Sequence, residues 1–184
     1  SKTIYYVGEV KNGEYSKGTL TLDNFEIKIL SLTGSNNWDP TYNGEVKIKE
    51  DATKWGFQMK QGESYSGPIK KGNLVDMFSF EGVGTYTFDN GATYNGNWEN
   101  NKPHRDGTLT LTNGTIIKGN WEEGQLISTS NTEHANYLKK SIRQIVNENP
   151  VVQEVKTVQV VGEIAFESPL SDGMDRVCSS IHST

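Results

Sequence analysis

A single cysteine, Cys178, stands among 184 residues, so no disulfide can form within the chain, and this usage fits a reducing compartment. Long apolar runs are missing: none approaches the ~20 residues that cross a bilayer as a helix. Positive charge is in deficit, 18 Lys and Arg against 23 Asp and Glu, and a net charge of −5 gives no general pull toward nucleic acid. Hydrophobic residues make up 33%, less than an ordinary globular domain carries, which disfavours a deep core. Catalytic patterns are missing as well. No serine sits in a Gly-x-Ser-x-Gly turn. Gly82-Val83-Gly84 is followed by neither a third glycine nor the Lys-Ser/Thr pair of a phosphate loop. His104, His134 and His182 are far apart, with no second ligand at metal spacing. Cys178 has no base near it, and Glu50-Asp51 and Glu122-Glu123 fall in turns as solvated carboxylates. The chain is therefore expected to be no enzyme and to hold no cofactor and no metal. Its amino end, Ser1 to Gly8, reads as a strand rather than a leader, so secretion is not expected.

Glycine, by contrast, is abundant at 19 residues, and much of it falls in register. Gly84-Thr85-Tyr86-Thr87-Phe88-Asp89-Asn90-Gly91 recurs as Gly107-Thr108-Leu109-Thr110-Leu111-Thr112-Asn113-Gly114. Tyr94-Asn95-Gly96-Asn97-Trp98 recurs as Ile117-Lys118-Gly119-Asn120-Trp121, and every offset is 23 residues. Self-similarity at a fixed period marks a repeat array. Each copy spells a β-hairpin: apolar residues alternate with threonine, and Asn-Gly then predicts a type I′ turn with φ > 0 at both central residues. On the return strand Tyr94, Gly96 and Trp98 share one face. A recurring mid-strand glycine implies close approach of another group, and a ring from the next hairpin is expected to lie across Gly96.

Elsewhere the copies are degenerate. Tyr6 to Val10 reads as a second strand with Val10 in the place of Trp98, Lys11-Asn12-Gly13-Glu14 as a turn, and Gly18 to Leu22 as a first strand. Residues 25–41 break the register, with a longer strand through Phe25, Ile27, Ile29 and Leu30 and a loop at 33–37. Gly44 to Gly67 is again 23 residues. That spacing puts Phe57, Met59, Tyr65, Gly67 and Ile69 in the places of Tyr86, Phe88, Tyr94, Gly96 and Trp98, with Trp55 for the leading glycine. Extra residues before Gly96 are placed around Val75 to Glu81. The expected fold is all-β: a single-layer antiparallel solenoid of four to five hairpins over residues 1–127, then an appendage over 128–184. In the appendage a polar link at 124–132 leads to a helix over about 133–148. Thr132 is its N-cap, Leu138, Ile142, Ile145 and Val146 form its stripe, and Asn149-Pro150 its stop. This helix is expected to fold onto the last hairpin and blunt the open sheet edge. Residues 151–167 read as one or two strands and 168–184 as a mobile tail.

The unit Gly-Thr-aromatic-Thr-aromatic-Asp-Asn-Gly-x-x-Tyr-x-Gly-x-Trp resembles the MORN (membrane occupation and recognition nexus) repeat. The match is strongest at Gly84–Trp98 and Gly107–Trp121 and weaker at 55–69, 6–24 and 42–46. Val10, Val46 and Ile69 replace the family's tryptophan, and Asp106 replaces its small linker residue. The resemblance implies a non-catalytic scaffold or targeting module in a cytoskeletal, ciliary or membrane-associated assembly; with the cysteine usage and the strand-like amino end, the expected location is cytoplasmic or cytoskeletal or membrane-associated rather than secreted. Tyr65, Tyr86, Phe88, Tyr94, Trp98 and Trp121 are the candidate partner-binding residues, either stacking between repeats or lining a groove for a helix or extended peptide. Lys139, Lys140 and Arg143, off the helix stripe, are the candidate contact for anionic lipid, although a lipid-reading patch usually holds about four to eight such charges. The alternatives to a protein-binding scaffold are a peripheral membrane adaptor, an accessory subunit of an enzyme complex docking through the appendage, and self-association through an open array end.

Overall fold

Alternation along each repeat sends one set of side chains to each face of a strand, and a computed structural model shows these strands laid side by side. It describes residues 4–34, 40–54, 56–71 and 78–150. Trp55, Cys178, His182, the strands expected at 151–167 and the tail expected at 168–184 lie outside the described residues. The strands are β1 (Tyr5–Lys11), β2 (Glu14–Thr21), β3 (Phe25–Gly34), β4 (Thr41–Ile48), β5 (Ala52–Lys54), β6 (Phe57–Met59), β7 (Ser64–Lys71), β8 (Phe78–Phe80), β9 (Gly82–Thr87), β10 (Thr93–Glu99), β11 (Lys102–Thr110), β12 (Ile116–Glu122) and β13 (Gln125–Thr129). Eleven of them form one open antiparallel sheet in the order β1-β2-β3-β4-β7-β9-β10-β11-β12-β13, with β8 paired to β7. The fold is the all-β hairpin array that the repeats imply.

Two rows cross this sheet. One reads Gly8, Gly18, Ile29, Gly44, Gly67, Gly84, Gly96, Gly107 and Gly119 from strand to strand. The row beside it reads Tyr6, Leu20, Ile27, Val46, Tyr65, Tyr86, Tyr94, Leu109 and Ile117. This register corrects one reading of the 23-residue spacing. Gly44 is not the earlier copy of Gly67 but its cross-strand neighbour. Gly44-Glu45-Val46-Lys47-Ile48 plays the part of Gly84 to Phe88, and the turn between β4 and β7 has grown into an excursion. Phe57 and Met59, expected in the main sheet, belong instead to a separate two-stranded sheet of β5 and β6.

The turns are of two kinds. At the expected type I′ sites only glycine has positive φ, +89° at Gly91 and +85° at Gly114. Phe88 accepts from the Gly91 N–H, and the Asn90 side chain takes the Ala92 N–H at 2.9 Å, so the loop closes as a tight turn followed by one left-handed glycine. Consecutive positive φ values occur between units instead, at Asn12-Gly13, Asn100-Asn101 and Glu123-Gly124. The stretch from Asn100 to Asp106, read as a linker, is therefore a two-residue turn and the start of β11. Most of the expected polar link at 124–132 is β13.

The single helix expected over 133–148 is divided. A 3₁₀ helix at Thr132–Tyr137 is capped by Asn131 rather than Thr132, and a separate α-helix, α1 (Ile142–Glu148), is opened by a capping box of Ser141 and Gln144. Lys139 lies between them at φ +64°. The edge of β13 causes the break. Lys139 N–H donates to Leu126 C=O, Leu126 N–H to Lys140 C=O, and Ile142 N–H to Gly124 C=O, so these residues extend the sheet instead of a helix. Leu138 is left 36% exposed, off the stripe, while Ile142, Ile145 and Val146 are buried.

Candidate functional site

The glycine row exists because rings lie on it. Tyr94 rises from β10 and covers Gly107 of the next hairpin, where a Cβ would stand 2.6 Å from the ring's Cε2. Tyr65 covers Gly84, and Tyr6 lies against Gly8 and Gly18 in the same way. The expected direction is thus reversed: the group over Gly96 is the hydroxyl of its own strand's Tyr94, and that ring reaches forward. Each hydroxyl donates to a carbonyl three residues on, Tyr6 to Glu9 at 2.9 Å, Tyr65 to Pro68 at 2.9 Å and Tyr94 to Asn97 at 3.2 Å. In β1 and β10 that carbonyl stands at a β-bulge, where the ladder register shifts. The tryptophans repeat as strictly: Trp98 Nε1 donates to Gly84 C=O and Trp121 Nε1 to Gly107 C=O, each 14 residues back.

Trp98 is the hub of the aromatic layer. Phe57, Tyr65, Phe80 and Tyr94 meet it edge-on with ring centroids 5.3–5.7 Å away. Phe57 belongs to β6, so the β5–β6 excursion covers this part of the face. Helix α1 is latched to the same region through Arg143. Its guanidinium forms a two-pronged ion pair with Glu63, at 2.5 and 2.8 Å, and donates to the Gln58 carbonyl at 2.6 Å. Glu63 also accepts from the Tyr86 hydroxyl at 2.6 Å and from the Lys60 and Asp89 N–H groups. Burial lowers the Arg143 pKa, but the hydrogen bonds and charge of Glu63 outweigh it and hold the guanidinium above its usual value.

The candidate residues are therefore placed as follows. Tyr65, Tyr86, Phe88, Tyr94, Trp98 and Trp121 come together in one layer, but all are 0–2% exposed and offer a partner no side-chain surface. The reading of Lys139, Lys140 and Arg143 as one basic face is corrected: Arg143 is buried against Glu63, and Lys140 pairs with Glu148 at 2.7 Å. His104 sits 3.0 Å from Glu99 at the surface, and His134 is buried in the 3₁₀ helix. Among the described residues no three metal-ligating side chains cluster, and no helix is long and apolar enough to cross a membrane. Glu63 escapes a reading of the sequence, because a carboxylate after a turn glycine reads as solvated. The available signal is Arg143, a lone charge between buried Ile142 and Ile145.

The same face opens past the end of β5, whose Lys54 ammonium stands 4.3 Å from the Phe78 ring. Among the described residues Leu20, Ile29, Ile69, Phe78 and the rings of Tyr15 and Tyr42 line an apolar pocket with about 50 Å³ of space. Its polar edge is ordered: the Tyr42 hydroxyl donates to Glu14 at 3.0 Å, Lys71 reaches the same oxygen at 3.3 Å, and the Lys71 ammonium stands 5.4 Å from the Tyr15 ring. Burial, then Glu14, pushes the Tyr42 hydroxyl up.

Burial also pushes up Tyr65, Tyr86 and Tyr94, with nearby carboxylates adding to it. The folded state then keeps protons that the unfolded chain releases above its ordinary value of 10.0. Stability should be flat with respect to these groups up to that pH. Above it, stability should fall by roughly 1.4 kcal/mol per pH unit for each tyrosine still protonated in the fold. The part of the phenolate absorbance that comes from these buried tyrosines should therefore appear only as circular dichroism is lost, above about pH 10, and full tyrosine ionisation in a still-folded chain would contradict this packing.

The MORN repeat family model matches residues 80–93 and 94–116. Both segments lie where the glycine and ring rows are most regular. No curated protein matches the chain.

Proposed function

We propose that this chain, which carries MORN repeats at residues 80–93 and 94–116, is a non-enzymatic scaffold that holds a protein partner in a cytoskeletal, ciliary or membrane-associated assembly. One observation carries the reading. The aromatic face is filled by the protein's own β5–β6 excursion and α1 over one half, and it opens in the other half as the pocket between Tyr15 and Tyr42. Space of about 50 Å³ admits the end of one aliphatic side chain rather than a cofactor. The partner is a helix or extended peptide that inserts a single apolar anchor there, with its flanks over Lys71 and Glu14.

The test is a pair of substitutions in the full-length protein. Tyr15→Lys changes a half-buried ring at the pocket, and Thr108→Lys places the same charge on the opposite, polar face of β11. Partners identified by proximity labelling, and confirmed as direct with purified components, should bind Tyr15→Lys about tenfold or more weakly. Their binding to Thr108→Lys should be unchanged. Equal binding by both folded variants would remove the pocket as the site.

A further inference from the structure

Helix α1 lies on the ring layer in the manner of a bound ligand. Ile142, Ile145 and Val146 are buried at spacings of three and four, the pattern of a helix laid in an apolar groove. Arg143 reaches the floor of that groove. Its guanidinium carbon stands 4.9 Å from the centre of the Phe88 ring and 5.8 Å from that of Phe57, and its nitrogens are held by Glu63 and the Gln58 carbonyl. Two observations set α1 apart from the strands beneath it. First, it has seven residues. An isolated helix shorter than about 12–15 residues is marginal in water, so α1 owes its form to the groove. Second, the segment that carries it is poorly satisfied. Among the described residues three buried side-chain polar atoms have no hydrogen-bond partner, Asn101 Nδ2, His134 Nδ1 and Arg143 Nε, and two of the three lie in residues 130–150. Each such atom costs the docked state roughly 1–3 kcal/mol.

We propose that the groove under α1 is a second binding site, filled at rest by α1 itself, and that its ligand is a partner protein's helix with an arginine set in an aliphatic stripe, as in Ile-Arg-x-Ile-Val. The ligand's chemistry follows from what α1 supplies. The stripe covers Phe57 and Phe88, and the arginine answers Glu63, a carboxylate that is costly to bury without a cation. A helix with a neutral residue there would leave Glu63 uncompensated, and one with an acid would be repelled. α1 has the advantage of its tether, an effective concentration of order mM. Against that, α1 must form its helix each time it docks, whereas a longer helix arrives already formed. The groove is thus a cryptic site that the partner makes dominant by differential binding. It shares no residue with the pocket between Tyr15 and Tyr42, so either site can fail without the other.

The probe is a fluorescent synthetic helix of about 18 residues, built on Ala, Glu and Lys with Ile-Arg-Gln-Ile-Val at its centre, titrated into the full chain. Arg143→Met loosens α1 yet leaves Glu63 in the groove, and should bind the probe at least about tenfold more tightly than the native chain does. Glu63→Gln also loosens α1 but removes the acceptor, and should gain less than about twofold. A probe with Met for its arginine should bind the Arg143→Met chain about tenfold or more weakly. Hydrogen exchange on the native chain gives a readout free of substitutions. The Ile145 N–H, bonded to Ser141 C=O within α1, should exchange faster than the amides of β10, and excess probe should speed it further as α1 is displaced. An Arg143→Met chain, shown folded by circular dichroism, that binds the probe no better than Glu63→Gln would overturn the proposal. So would an Ile145 exchange rate that excess probe leaves unchanged.

Discussion

Gly107→Ala is expected to destabilise the fold by about 3 kcal/mol or more, at the upper end for a single added methyl group. The site has no room to adapt. The new Cβ would stand 2.6 Å from Cε2 of Tyr94. The ring cannot swing aside, because Trp98 and Trp121 meet it edge-on at 5.3 and 5.4 Å. Gly114→Ala is the control. A Cβ there meets nothing within 4 Å, and only the left-handed φ of +85° resists it, a strain of about 1 kcal/mol. Adding Tyr94→Leu to Gly107→Ala should recover part of the loss, so the double variant should cost less than the sum of its parts. Urea unfolding of the four proteins measures all of this. If Gly107→Ala were as mild as Gly114→Ala, rings on glycine would not be what joins one hairpin to the next.

The second large effect belongs to the buried ion pair. Glu63→Gln leaves the Arg143 guanidinium charged without its carboxylate, and Arg143→Met leaves the Glu63 carboxylate with only neutral donors. Each should lower stability by about 3–5 kcal/mol. Replacing both partners, Glu63→Met with Arg143→Met, removes the stranded charge and should be milder than either single change, although the Tyr86 hydroxyl and two N–H groups then lose their acceptor. The loss should be local at first. α1 is held by Ile142, Ile145, Val146 and this latch, so limited proteolysis should release the segment after Thr129 in the single variants before the main sheet unfolds. Simultaneous digestion of sheet and helix would show instead that the helix belongs to the same cooperative unit.

Much of this architecture is written locally. Alternation, Asn-Gly pairs and the 23-residue offset identify the hairpins at 84–98 and 107–121 because each depends on contacts close in sequence. The amino-terminal units are harder to read for a definable reason. A glycine at 44 and another at 67 carry the same spacing as true copies, yet an antiparallel sheet places them opposite each other. A spacing alone does not report strand direction, so the β5–β6 excursion reads as a hairpin of the array. The break at Lys139 is illegible for a different reason. Its cause is an edge strand whose hydrogen bonds become available only after folding, and helical periodicity says nothing about that competitor. The six aromatic residues do share one layer, but hydrophobic pattern shows which side chains share a face and not what covers it. The cover comes from Phe57 and Arg143, 41 residues before Trp98 and 45 after it.

Because each tyrosine shelters the glycine ahead of it, the units overlap like roof tiles, half a hairpin out of step with the spelling of the repeat. A fragment ending at Trp98 would leave Tyr94 with nothing beneath it, whereas one ending at Leu111 would keep it shod. The chain observes this rule at its own last row. β12 carries Ile117 where β7 and β10 have tyrosine, and the following strand sets Thr129, not glycine, against Gly119. Anyone lengthening, shortening or borrowing from this array should therefore cut at the tile's edge, after a first strand, and finish with a residue too short to overhang.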